Sequence, residues 1–137
     1  MRQIFILFSV LLVISACEKN NNTGDTEYKS VYGRYIGTFH RTGMDTVEVQ
    51  LGLLSDNTFE GSSTRNQYPA ICSGYFTYDN SSRLLTVRDT CAWTANFDWT
   101  LIFDGSYNVS FPEKNTLRIW RTNGVSKDEY LLNKLVR

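Results

Sequence analysis

The chain has 137 residues, with 14 basic side chains, 14 acidic ones and a single histidine. That length allows one ordinary domain with a single core, and the balanced charge, with no basic stripe, argues against a nucleic-acid partner. Eight Tyr, eight Phe and three Trp against only two Pro suit β-strands, in which each backbone N–H is needed for the ladder.

The first element is N-terminal. Arg2 precedes an apolar run of eleven residues, Ile4 to Ile14. A membrane-spanning helix needs about 20, whereas a secretory signal needs roughly 7–15 apolar residues followed by small ones. Ser15 and Ala16 are small, and Cys17 comes next. Ile14-Ser15-Ala16-Cys17 resembles the bacterial lipobox, with Ile in the slot where Leu is commonest. The resemblance implies cleavage before Cys17, diacylglycerol on its sulfur and acylation of the new amine. The competing reading is a conventional signal peptide with a chance cysteine.

Residues 1–16 are thus expected to be a lipoprotein signal peptide, and residues 17–29 the lipidated cysteine and a flexible tether. Glu18 to Lys29 has almost no apolar side chain with which to offset its ordering entropy. Its r.m.s. reach is about 20 Å. Several acyl chains, at about 0.8 kcal/mol per buried methylene, make the membrane the first expected partner. Glu18 stands where many inner-membrane lipoproteins carry Asp, which favours the outer membrane of a bacterial envelope; its periplasmic and surface faces both remain open.

With Cys17 carrying lipid, Cys72 and Cys91 form an even pair in an exported chain, which reads as a disulfide. A metal pair would favour close spacing and further Cys or His ligands nearby, and neither is present.

From Val31 onward the pattern has a period of two. Tyr35, Gly37 and Phe39 share one face of a first strand, and Val47, Val49, Leu51 and Leu53 one face of a second, with Arg41-Thr42-Gly43 as the turn between them. Thr58 to Ser62, Cys72 to Tyr78 and Leu84 to Arg88 follow as strands three to five. A sixth is expected over Phe97 to Asp104, with Phe97, Trp99, Leu101 and Phe103 on one face, ending in an Asp104-Gly105 hairpin turn. Tyr107 to Phe111, Leu117 to Arg121 and Glu129 to Val136 complete nine. Short connections make this a meander, which hides its edges best by closing on itself. The expected fold of residues 30–137 is all-β, a small antiparallel up-and-down barrel, with a two-sheet sandwich as the alternative. Two longer connections, Ser63 to Ala70 and Thr90 to Asn96, are joined at one rim by the cysteine pair.

The segments Tyr68-Pro69-Ala70-Ile71-Cys72-Ser73-Gly74 and Thr90-Cys91-Ala92-Trp93-Thr94-Ala95-Asn96-Phe97-Asp98-Trp99-Thr100-Leu101 resemble a set of small, lipid-anchored, lipocalin-like lipoproteins of the Bacteroidota. That resemblance implies an exported barrel. True lipocalins open with Gly-x-Trp and stack an Arg of the last strand on the Trp. Gly33-Arg34-Tyr35 is similar with Tyr for Trp, and Arg121 lies on the penultimate expected strand. One fold hosts many functions, so the likeness bears on architecture more than on ligand.

Catalysis has little support. His40 stands at a strand end beside a turn and reads as a solvated rim residue, and no G-x-S-x-G, H-E-x-x-H or phosphate loop occurs. Asp98 and Asp104 are about 20 Å apart on an extended strand, too far for a glycosidase pair. Copper sites want clustered Cys, Met and His, so neither a metal nor a cofactor is expected. The aromatics read two ways: as the core of a filled barrel, or as the wall of a cavity for a small apolar or amphiphilic ligand. On the second reading Tyr35, Phe39, Phe97, Trp99 and Phe103 line the lumen, and Tyr68 and Trp93 gate it. On the first, the barrel is a non-enzymatic envelope module that offers its loops to a protein or glycan partner.

Overall fold

The computed structural model describes residues 29–94 and 96–136. The expected signal peptide of residues 1–16 and all but Lys29 of the expected lipidated tether of residues 17–29, Cys17 included, lie outside the described residues. Eight strands follow one another: β1 Gly33–Arg41, β2 Val47–Leu53, β3 Thr58–Ser63, β4 Ser73–Asp79, β5 Leu84–Asp89, β6 Gly105–Ser110, β7 Thr116–Asn123 and β8 Ser126–Lys134. Each pairs antiparallel with the next, and β8 pairs with β1. The sheet is therefore a closed up-and-down barrel rather than a sandwich, with no exposed edge.

Closure is set by the period-two pattern and by glycines at the tightest contacts. Tyr35, Phe39, Val49, Leu51, Leu53, Phe59, Phe76, Leu85, Val87, Tyr107, Val109, Leu117, Ile119, Tyr130 and Leu132 point inward and are buried. Gly37 sits at the β1–β8 seam opposite Leu132, where a Cβ would lie 2.0 Å from the Leu131 carbonyl oxygen. Gly74 does the same for β4 against the Arg88 carbonyl, also at 2.0 Å. The β7–β8 hairpin turns through Asn123-Gly124, with Gly124 at φ +59°.

The sixth expected strand does not form. Among the described residues of the β5–β6 connection, 90–94 and 96–104, there is one 3₁₀ turn, η1, Trp99–Leu101. Asp98 explains the turn locally: its carboxylate accepts from the Thr100 backbone N–H at 2.9 Å and from the Thr100 hydroxyl at 2.6 Å, capping the helix. Asp104-Gly105 is accordingly not a hairpin; Gly105, at φ +92°, starts β6. Of the apolar alternation from Phe97 to Phe103, its second half answers a different demand: Leu101 and Phe103 fill the barrel from its end.

The two ends of the barrel differ. At one, the chain enters at Lys29 and the connections are short: residues 54–57, 80–83 and 111–115. At the other lie the two long connections, residues 64–72 and 90–104, joined by the Cys72–Cys91 disulfide with Cα atoms 6.3 Å apart. The disulfide is where the compartment argument places it, and it staples that rim.

Candidate functional site at the stapled end

Residues 90–104 act as a cork. Phe103 is fully buried in the lumen, with ring centroids 5.4 Å from Phe59, 5.1 Å from Tyr107 and 5.1 Å from Tyr130. Leu101 follows it inward. The cork is zipped to the other long loop by two backbone bonds, Ala70 N–H to the Leu101 carbonyl at 3.1 Å and Phe103 N–H to the Ala70 carbonyl at 2.9 Å.

Three charged side chains of the barrel wall hold it from below. Arg41 ends β1 and is paired in register with Asp128 of β8; they are 7% and 3% exposed. Its Nε donates to Asp128 Oδ1 at 2.5 Å and its Nη2 to Oδ2 at 2.8 Å. The same guanidinium reaches the cork, donating to Asp98 Oδ2 at 3.0 Å and to the Thr100 hydroxyl and carbonyl at 2.8 and 3.0 Å. Arg121 of β7 shares Asp128, from Nε at 3.1 Å, and donates to the carbonyls of Asp104 and Thr100, both at 2.6 Å. The paired Asp128 holds Arg41 above its ordinary basicity, although burial opposes this. Asp98 is held below the usual carboxylate range, first by the Thr100 hydroxyl and then by the Thr100 N–H and Arg41, against some desolvation.

The seven aromatics expected at a ligand site divide into two groups. Tyr35, Phe39, Tyr68 and Phe103 are packed inside. The Tyr35 hydroxyl donates to the Val31 carbonyl at 2.7 Å, and Phe39 lies between Tyr68 and Tyr130 with centroids at 5.4 and 4.8 Å. The Tyr68 hydroxyl donates to the Asp45 carbonyl at 2.8 Å. Trp93, Phe97 and Trp99 instead form a stack on the outside of the cork. Trp93 meets Phe97 edge-on at 5.6 Å, and Phe97 stacks on Trp99 at 5.9 Å with 17° between the planes. Trp99 is 57% exposed. It stands on η1, not on an inward-facing strand position.

Asp89 organises that stack. Its Oδ1 accepts from the Cys91 N–H and from Trp93 Nε1, each at 2.9 Å, while its own N–H donates to Asp104 Oδ1 at 2.8 Å. Beside Trp99 opens a cleft of about 590 Å³ whose other walls include Asp89, Asp104, Ser106, Thr122 and Asn123. A second cleft, about 740 Å³, lies at the opposite end around Lys29, Tyr35, Phe111 and Lys134.

Sequence reasoning missed Arg41, Asp89, Asp104, Asp128 and Asn123 as parts of this end. A signal for two of them exists. Arg41 continues the inward series Tyr35-Gly37-Phe39, and Asp128 the inward series Tyr130-Leu132, so each is a charge at an apolar parity. Arg121 does not stack on Tyr35, which stands at the other end; its guanidinium lies 4.7 Å over the Tyr107 ring. His40 is exposed on the outer side of β1, its Nδ1 3.4 Å from the Thr46 hydroxyl. Among the described residues no group of three or more His, Cys, Asp or Glu side chains is placed to hold a metal.

An eight-stranded antiparallel meander, closed and filled, defines a small up-and-down β-barrel of a kind compatible with a lipocalin-like fold. No protein-family model matches the chain, and no curated protein or solved structure matches it.

Proposed function

We propose that this is a lipid-anchored envelope lipoprotein of the lipocalin-like Bacteroidota kind that it resembles, a non-enzymatic interaction module displaying its disulfide-stapled end to a partner. One observation carries the choice of module over carrier: the lumen is occupied by the chain's own cork, with Phe103 fully buried among Phe59, Tyr107 and Tyr130. Carriage of an apolar ligand inside requires that cork to leave, against its backbone bonds to Ala70 and the Arg41 and Arg121 clamps. Polarity of placement supports the same reading. Lys29, the first described residue, is at the end opposite the long loops, 6.0 Å from the Phe111 ring centroid. A tether through that end leaves the stapled end facing away from the membrane.

Native mass spectrometry of residues 18–137, purified without detergent, tests it. The expected result is the bare mass of the chain less two hydrogens for the disulfide. A reproducible extra mass released on mild activation would overturn the reading in favour of lumen carriage.

A further inference from the structure

The cleft beside Trp99 is built unlike the rest of the surface. Trp99 has one ring face backed by Phe97, while the indole remains more than half exposed and forms a wall of the cleft. Its backbone is held in place. η1 is capped by Asp98, tied by the Ile102 N–H to the Trp99 carbonyl at 3.2 Å, and anchored through Leu101 in the barrel. An aromatic ring on an anchored backbone, stacked on a neighbour and otherwise bare, is a contact surface whose ordering costs less than that of a loop side chain.

The remaining walls decide what lies on that plane. Seven of the nine lining residues are polar, and Trp99 and Ile102 are the exceptions, so a purely apolar molecule would strand hydrogen-bonding groups there. An anion finds no spare cation. Arg121 lines the cleft, but its nitrogens are committed to Asp128 and to the carbonyls of Thr100, Ile102 and Asp104. The side chains of Ser106, Thr122 and Asn123 have no hydrogen-bond partner among the described residues, and Asp104 spends one oxygen on the Asp89 N–H and leaves the other. Uncharged donors and acceptors, a spare carboxylate oxygen and one bare indole call for a ligand with an apolar C–H face and a rim of hydroxyls. That is the chemistry of a sugar ring. The volume, about 590 Å³, is within the range of small-molecule sites.

We infer that the cleft of Trp99, Asp104, Ser106, Thr122 and Asn123 binds a neutral glycan, one pyranose ring stacked on Trp99 and its hydroxyls on the polar wall. The inference rests on the module reading, of which it names the partner class. A glycan reaching the stapled end from outside needs no opening of the cork.

The test uses the full chain, extracted in a detergent without a sugar headgroup. Maltohexaose, cellohexaose, xylohexaose and mannohexaose are each titrated into it at up to millimolar concentration, followed by tryptophan fluorescence and by amide shifts of residues 96–106 and 120–124. At least one is expected to bind, with W99A weakening it at least about tenfold and W99F retaining part of the affinity. N123A should weaken it without changing the melting temperature. Tyr75→Ser, which removes another exposed ring, on β4 and not among the walls of the cleft, should leave binding as it was. Failure of all four sugars, wild-type affinity in W99A, or equal loss in Tyr75→Ser overturns the inference. None of these results bears on whether the lumen is filled, which the native mass spectrum decides separately.

Discussion

Phe103 and Trp99 stand four residues apart and were expected on one strand face, yet their environments are opposite. Phe103 is 0% exposed and touches three other rings; Trp99 is 57% exposed. Phe103→Ala should therefore cost about 3–5 kcal/mol, as for other buried aromatics, whereas Trp99→Ala should stay within about 0.5 kcal/mol. Urea melts of the two variants check this, and a larger loss for Trp99→Ala would place it in the core. Arg41, Asp128 and Arg121 belong to the same scale. A buried pair of this kind is weak evidence for net stability, but breaking it leaves an uncompensated buried charge. Its consequence here is geometric, because one aspartate aims two guanidinium groups at the carbonyls of the cork. Arg41 falls on the inward parity of β1, but it also opens a run, Arg41-Thr42-Gly43, that reads as a turn, and only its pairing with Asp128 of β8 carries the strand as far as Arg41.

At the scale of elements, all eight strands lie within a few residues of where the alternation puts them, and of the nine it suggests only the one over Phe97 to Asp104 is not formed. Hydrophobic parity is local, and so are the turn residues that punctuate it. β1 runs one residue further than the pattern suggests because Arg41 pairs with Asp128 of β8, and β8 starts three residues earlier than Glu129 because Ser126 and Lys127 pair with Asn123 and Thr122 of β7. The seam also sets a hard limit at Gly37. A Cβ there meets the Leu131 carbonyl at 2.0 Å, and that atom belongs to backbone, which cannot turn aside. Gly37→Ala is expected to destabilise the barrel by on the order of 3 kcal/mol or more, read as a lowered urea midpoint, while Gly43→Ala, in an open turn at φ +79° with nothing within 4 Å, should cost only about 1 kcal/mol. Comparable midpoints for the two would show that the seam tolerates separation. The segment from Phe97 to Asp104 is the element that alternation misassigned. Its spacing of apolar residues suits a strand, but Asp98 captures Thr100 and turns the chain, and Leu101 and Phe103 find their burial in the lumen of a barrel that already has its eight strands.

The whole molecule is a tube closed at one end by its own loop, and that makes its ionisation depend on its folding. Burial raises the Tyr35 phenol to about 12 from 10.0, and burial pushes Tyr107 and Tyr130 up as well. A phenol whose folded pKa is raised favours the folded state fully below the unfolded value. That contribution is lost as the pH climbs through the folded one. The stability of the barrel should thus hold to about pH 10 and fall steeply near pH 12. Tyrosinate absorbance followed together with far-ultraviolet circular dichroism checks this: the buried phenols of Tyr35, Tyr107 and Tyr130 should ionise only as the fold is lost. Early, complete ionisation with the dichroism unchanged would mean that solvent reaches the lumen. Such access is also what carriage of a ligand inside would require, so the same titration bears on the choice between carrier and module.

The sequence by itself determined the all-β class, the closed meander, most strand positions and the pairing of Cys72 with Cys91. Each follows from information carried within a few residues or from simple counting: parity of apolar side chains, turn residues, and the even pair of cysteines that remains when Cys17 is read as the lipidated residue. Only the tertiary structure decided which aromatics fill the lumen and which stand outside it, that the barrel has eight strands, and that Arg41, Arg121 and Asp128 meet beneath the cork. Those outcomes depend on residues far apart in the chain, brought together by β1 closing on β8 and by two long loops zipped at Ala70. An aromatic residue has the same period and the same hydrophobicity whether it enters a barrel or lies across its mouth. The space left by the other strands decides between the two.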